Sequence, residues 1–287
     1  MAPLVWFITG GSSGFGYQLS LHALAAGHNV IATVRNTTKS ADAVNGIESR
    51  GGKVIELDVT NAETVPDVVK KAESIYGRVD VLVNNAGYSL LGAIEDISDD
   101  EALAQFNTNF LGPLRLIRSF LPSLRAQGNG TIVNVSSIAG QNALPSCGLY
   151  ASSKFALEAL SESLAQEVAP FNISVLIVEP GGFRTNFLSA VQKTETSLSE
   201  PYRGGPVDEM LGKFESAQGK QPGDAEKAAA RIFGAVTGEG VGGELKGRVL
   251  RLPLGPDCVN RLEVKLKSVS ADLEASRDVA MSTNIDE

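Results

Sequence analysis

The stretch Leu4-Val5-Trp6-Phe7-Ile8-Thr9-Gly10-Gly11-Ser12-Ser13-Gly14-Phe15-Gly16 decides the fold of this 287-residue chain. Five apolar residues without alternation read as a strand buried on both faces. A glycine-rich turn follows at once, and Tyr17 to Ala26 then repeats apolar residues at helical spacing until Gly27. A strand that enters a helix through glycines aims the helix N-terminal amides at an anion. Gly10, Gly14 and Gly16 therefore predict a loop that lets a pyrophosphate approach the backbone.

Outward from that loop, strands and helices alternate along the whole chain. Strands are predicted at Asn29 to Val34, Val54 to Leu57, Val79 to Val83, Thr131 to Val135, Ile173 to Val178 and Val249 to Leu252. Thr60 with Glu63 has the capping-box spacing and predicts a helix that runs to Tyr76 before Gly77. Ser98 with Glu101 repeats that spacing ahead of a long helix, with a bend expected near Gly112-Pro113. Further helices are expected at Tyr150 to Val168, Ala225 to Ala235 and from Asp257 onward. The pattern predicts an α/β fold: a Rossmann-like, doubly wound parallel sheet of about seven strands flanked by helices, in a single domain over 1–287. Residues 181–223, rich in Gly, Ser, Thr and charge, break the rhythm and are expected to form a small substrate lid.

A net charge of −8 and a pI near 5.0 supply no basic stripe for nucleic acid. No apolar run reaches the ~18 residues that span a bilayer, and the N-terminus has no export signal, so a cytoplasmic location is expected. Cys147 and Cys258 stand far apart without Cys-x-x-Cys or histidine neighbours, which predicts two free thiols and no metal site. His22 and His28 fall in the first helix and the turn after it and are expected at the surface, which leaves Ser-His-Asp hydrolysis without support.

Two features point to a cofactor and to proton transfer. The second strand ends in Val34-Arg35, where an acid would be expected if NAD's ribose hydroxyls were the ligand. A guanidinium there suits the 2′-phosphate of NADP, and the neutral Asn36, Thr37 and Thr38 follow it; NADP(H) is favoured over NAD(H). Downstream, Tyr150 and Lys154 share one helix face at i, i+4, and Ser136 and Ser137 end the fifth strand.

Together these residues resemble the short-chain dehydrogenase/reductase family in its single-domain form. The resemblance covers nearly the whole chain and is carried by Thr9 to Gly16, Asp58-Val59, Asn84-Asn85-Ala86-Gly87, Asn109, Ser137, Tyr150 to Lys154 and Pro180-Gly181. The loop spacing Thr-Gly-x-x-x-Gly-x-Gly belongs to it, unlike the Gly-x-Gly-x-x-Gly of two-domain hydroxy-acid dehydrogenases. The Phe-Ile-Thr-Gly start and Arg251 to Gly255 are similar to microbial and fungal ketone reductases and hydroxysteroid-type dehydrogenases.

The resemblance implies oxidoreduction between a ketone and a secondary alcohol, in which a carbonyl receives hydride on carbon and a proton on oxygen. Tyr150 is the expected acid/base, and Lys154 is expected to lower its pKa from ~10 and to hold the nicotinamide ribose. Ser137 is expected to polarise the carbonyl, with Ser136 as its rival. Asn109, with Asn107 nearby, is expected to hold a water that links Lys154 to solvent. Cofactor contacts are expected from Gly10, Ser12, Ser13, Gly14, Phe15, Gly16, Arg35, Asp58, Val59, Asn85, Ala86, Gly87, Tyr150, Lys154, Pro180, Gly181 and Thr185. Asn84 either lines the same cleft or stabilises the junction below it.

Tyr88, Leu90, Leu144, Pro145, Cys147, Leu149, Phe183 and Phe187 are candidate walls of an apolar pocket for a small hydrophobic ketone or alcohol. A homodimer or homotetramer through the helices near Asp99 to Leu124 and Tyr150 to Val168 is also implied. An NADP-binding redox sensor without turnover would not need Ser137, Tyr150 and Lys154 together. An epimerase or dehydratase relative would carry a different glycine spacing and a larger substrate domain.

Overall fold

In the computed structural model, which describes residues 2–285, the apolar run forms strand β1 (Val5–Ile8) and enters helix α1 (Gly14–Ala25). β2 (Asn29–Val34), α2 (Ala41–Glu48), β3 (Lys53–Glu56), α3 (Val65–Tyr76) and β4 (Val81–Asn84) follow. After the two-residue β5 (Leu90–Leu91) come α4 (Asp99–Phe106), a five-residue π-helix (Asn107–Leu111) and α5 (Gly112–Gln127). β6 (Gly130–Val135), α6 (Gly148–Val168) and β7 (Ile173–Pro180) lead to the short β8 (Gln192–Lys193) and to α7 (Pro206–Ala217). α8 (Ala225–Thr237), β9 (Arg251–Leu254) and α9 (Pro256–Met281) end the order.

Successive side chains of β1 point to opposite faces, and both faces are covered. Trp6 and Ile8 join α1 and α8 residues such as Leu19, Ile232 and Phe233 in one core. Val5 and Phe7 join Val69, Leu116, Phe120 and Leu164 of α3, α5 and α6 in the other. The sheet is parallel throughout, in the order β3-β2-β1-β4-β6-β7-β9. Strand order reverses between β1 and β4, which opens a crevice at their carboxyl ends. The glycine loop leaves one of these strands, and Asn85 to Gly87 leave the other.

Two expected details differ. The helix predicted from a Thr60–Glu63 capping box starts instead at Val65, with Pro66 in its first turn. Asp58 Oδ1 accepts from the Thr60 amide and hydroxyl at 2.9 and 2.7 Å. Asn61 Oδ1 accepts from the amides of Glu63 and Thr64, so local side-chain turns replace the helical start. The irregularity expected at Gly112-Pro113 lies one turn earlier, in the π-helix. Pro113 sits in the first turn of α5, where its missing N–H costs nothing. The Ser98–Glu101 capping box is present as expected. Apolar spacing gives no signal for α2, which buries only Ile47.

Residues 181–223 contain β8 and α7 and are tied down at several points. A bridge between Phe183 and Gly223 closes the base of the segment. β8 pairs with β5, and the Ser199 amide and Tyr202 hydroxyl donate to Asp96 and Glu95 at 3.0 and 2.7 Å. No helix among the described residues is long and apolar enough to cross a membrane.

Candidate active site

The crevice is built around Thr9. Its hydroxyl accepts the backbone N–H groups of Asn85 and Ala86 at 2.9 and 3.0 Å, and the Asn85 amide donates back to the Thr9 carbonyl at 2.8 Å. These bonds lock the end of β1 to the end of β4. Gly10 and Gly14 adopt φ of +69° and +57°, which glycine reaches without strain. A Cβ at Gly16 would strike the Gly10 carbonyl and the Asn85 amide. Ser13 caps α1 without a side-chain bond, and the first turn carries no acid. Its amides are thus left for an anion, with Ser12 exposed and Ser13 half-buried beside them. This cradle fits a dinucleotide pyrophosphate. Phe15 packs edge-on against Phe183 at 5.1 Å, and Thr185 lies 3.5 Å from where a Gly14 Cβ would stand.

At the next strand ends, α6 brings Tyr150 and Lys154 beside the end of β6. Both side chains are buried. Lys154 Nζ donates to the Val135 carbonyl at 2.8 Å and stands 5.9 Å from the Tyr150 ring centroid. Burial pulls Lys154 down to about 8, with the Glu158 carboxylate opposing it. Burial pushes Tyr150 up to about 12, against a hydrogen bond with Ser137. Desolvation sets the direction of the phenol's shift, opposite to the lowering expected from Lys154, and the same burial weakens the lysine's charge.

The structure separates the paired candidates. Ser137 stands beside Tyr150 and accepts from the Ala139 amide at 3.1 Å, whereas the Ser136 hydroxyl donates to Glu158 Oε1 at 2.6 Å. Asn109 is buried in the π-helix; its amide donates to the Tyr88 carbonyl and Ser153 hydroxyl at 2.9 and 3.0 Å. Its Oδ1 accepts from the Tyr88 amide at 3.1 Å. A side chain at Gly87 would meet Asn109 Oδ1 at 3.0 Å and Lys154 Nζ at 3.6 Å, so glycine keeps the space between these groups open. Asn107 Oδ1 is buried without a hydrogen-bond partner, and Arg115 donates to the Asn107 backbone carbonyl.

A layer that the motifs do not signal lies beneath the serines. Glu158 and Glu179 are buried, and Arg251 reaches them at 3.3 and 3.0 Å while also pairing with Glu162. Gln141 donates to both buried carboxylates. Burial and the Glu158 charge push Glu179 upward, against Arg251. Glu158, four residues after Lys154, was visible in the sequence as an acid on the lysine's helix face. Its partners come from β7 and β9 and carried no such mark. Asp257 is a second unsignalled residue: it accepts the Gly182 amide at 2.7 Å and fills the space beside Gly181. The turn after Pro180 is thereby pinned to the start of α9.

The remaining expected residues divide. Arg35 is exposed at the end of β2 and makes no ion pair among the described residues. Asp58 is exposed and occupied with Thr60, while Val59 is buried against Gly112. Asn84 lies in the sheet and donates to Asn134 at 2.8 Å, which makes it part of the junction rather than of the cleft. Phe187 stands 5.9 Å from the Tyr150 ring, and Cys147 is buried near it. Leu90 is buried in β5, and Phe183 packs on the nucleotide side, so neither is a free wall of a substrate pocket. His22 and His28 are half-buried rather than surface groups. They pack on Phe233 at 4.9 and 5.3 Å, and His28 Nδ1 accepts the Leu4 amide. No cluster of three metal-ligating side chains occurs among the described residues.

Comparison with known proteins places the fold in one family. The family model described as short chain dehydrogenase matches residues 4–196. The solved short-chain dehydrogenase of Streptomyces avermitilis is 41% identical, with a TM-score of 0.88 over 99% of both chains. The 3-ketodihydrosphingosine reductase of Bacteroides thetaiotaomicron is 41% identical over 70% of this chain and 72% of its own. A metagenomic short-chain oxidoreductase solved in complex with NADP is 30% identical, with a TM-score of 0.59 over 63% of this chain and 83% of its own. With its parallel sheet, its glycine cradle and Tyr150 beside Lys154, the chain belongs to the short-chain dehydrogenase/reductase family, an oxidoreductase family whose solved members include complexes with NAD and with NADP.

Proposed function

We propose that the protein is an NADP(H)-dependent carbonyl reductase or alcohol dehydrogenase that interconverts a ketone and a secondary alcohol on a small apolar molecule. The observation that carries this reading is the buried Tyr150 beside Ser137, with Lys154 Nζ 5.9 Å from its ring. The nicotinamide, when bound, supplies or takes the hydride. Gly10, Gly14, Gly16 and the amides that open α1 would hold its pyrophosphate, and Pro180, Gly181 and Thr185 would border its other end. Arg35 would supply the cation for a 2′-phosphate.

In reduction, the Ser137 hydroxyl donates a hydrogen bond to the carbonyl oxygen and Tyr150 delivers a proton to it. The Lys154 ammonium favours the phenolate that remains. A phenol held at about 12 stays protonated, which suits it to donate. Asn109 fixes the Tyr88 backbone and leaves room beside Gly87 for a water that returns a proton towards Lys154. Phe187, next to the phenol, walls the substrate side, and residues 181–223 act as the lid. The bacterial relative that reduces 3-ketodihydrosphingosine supports an apolar ketone. The two buried free thiols suit a reducing, cytoplasmic setting. Exposed Leu103 and Phe155 on α4 and α6 support assembly through those helices.

An assay at 340 nm of NADPH and NADH against hydrophobic ketones and quinones tests the reading. Turnover that prefers NADPH is expected, and nucleotide binding without turnover on any ketone or secondary alcohol would refute it. Arg35→Asp replaces a phosphate partner with a repelling charge and is expected to weaken NADPH by ~1.5–3 kcal/mol, about ten- to a hundredfold, with NADH little changed. An unchanged NADPH to NADH ratio would remove Arg35 as the selector.

The pH profile follows from Lys154. With its value near 8, the ammonium is present below that pH and lost above it, so kcat/KM for reduction is expected to fall as pH rises through about 8. A flat profile between pH 7 and 9 would mean that the charge of Lys154 is not used.

A further inference from the structure

Helix α9 leaves the body of the molecule after two turns. Cys258 is buried and Arg261 donates to the Asn142 carbonyl at 2.7 Å, but every side chain from Leu266 to Met281 is exposed. Those 16 residues extend about 24 Å from the body at 1.5 Å per residue. Isolated helices of this length are marginal in water, and three serines and two valines within it are poor helix formers. A helix of this kind is held by packing on a partner.

Its apolar positions say which partner. Val259, Leu262, Leu266, Val269 and Leu273 recur at alternating spacings of three and four, with Ser276 and Ala280 continuing the seam. This is the heptad spacing that one helix presents to another like it. Leu266 and Leu273 are 61% and 56% exposed on that seam. Val264 and Val279 lie off it. An anionic membrane surface fits poorly, because α9 carries five acidic and four basic side chains.

We infer that α9 pairs antiparallel with α9 of a second copy of this chain, forming a two-helix interface separate from the α4 and α6 faces. The register stacks Leu262 on the partner's Leu273 and Leu266 on the partner's Val269, related by a twofold axis between residues 267 and 268. Lys265 and Asp272 flank the seam on the same edge, so antiparallel pairing brings each beside the opposite charge of the other copy, twice by symmetry. Neither has an ion-pair partner among the described residues. Arg277, which a parallel pair would need opposite Asp272, is already paired with Glu274 at 3.0 Å.

Sedimentation of the full chain tests this. Leu266→Glu with Leu273→Glu is expected to halve the assembly mass and to lower the helical signal at 222 nm. The near-ultraviolet spectrum should be retained, since this part of α9 touches nothing in the body. Lys265→Asp or Asp272→Lys alone is expected to weaken association about tenfold, and the two together to restore it. An unchanged mass in the Glu pair overturns the interface. Failure of the double reversal to recover association overturns the antiparallel register, and binding of anionic vesicles without any change of mass would point to a lipid surface instead.

Discussion

Tyr150→Phe is expected to cut ketone reduction by ~10²–10⁴-fold while the nicotinamide nucleotide still binds. The ring keeps its place: it is buried, it lies 5.9 Å from Phe187, and nothing in its packing depends on the hydroxyl. What goes is the proton that the carbonyl oxygen must receive. Ser137 keeps its bond from the Ala139 amide, so the cost in stability is no more than about 1 kcal/mol. The 340 nm rate and a nucleotide titration measured on the same sample separate the two effects. A rate within tenfold of the native protein would exclude Tyr150 as the acid, and loss of nucleotide binding would show that the variant had disturbed the cleft instead.

The largest expected loss of stability comes from Arg251→Met. Arg251 is the only cation that reaches Glu158 and Glu179 among the described ion pairs, and both carboxylates are almost fully buried. Removing one partner of a buried charge cluster costs ~3–5 kcal/mol, because the remaining charges have neither water nor a counter-ion. The sign with pH follows from Glu179, whose folded value lies above its unfolded one. The folded state therefore binds the extra proton, and stability is present at low pH and lost as pH rises through the elevated value. The variant should be nearest to the native protein at about pH 5 and furthest from it at pH 8. Urea unfolding at both pH values checks this, and an equal loss at both would mean that Glu179 does not take up a proton between them.

Residues of the site differ in how far they could be read in advance. Gly10, Gly14, Gly16, Tyr150 and Lys154 were legible because each depends on a local rule: a left-handed φ, a close backbone approach, or a four-residue helical interval. Ser137 was preferred to Ser136 by the family resemblance alone, since the fold permits either side chain of the strand end to face the site. The structure adds a reason that the sequence lacks: Glu158, from a different element, captures Ser136. The expected effect of Lys154 on Tyr150 was misjudged because spacing gives proximity and says nothing of burial, and desolvation dominates both groups.

The sequence by itself determined the alternation of strands and helices, the glycine-rich turn and the tyrosine–lysine pair. All of these follow from periodicity and backbone chemistry within a few residues. Only the tertiary structure decided that Thr9 ties β1 to β4, that Asp257 pins the turn after Pro180, and that Arg251 neutralises Glu158 and Glu179. Those contacts join positions from about 70 to more than 90 residues apart. Their energies depend on which charges and donors lose water together, and local sequence does not encode that.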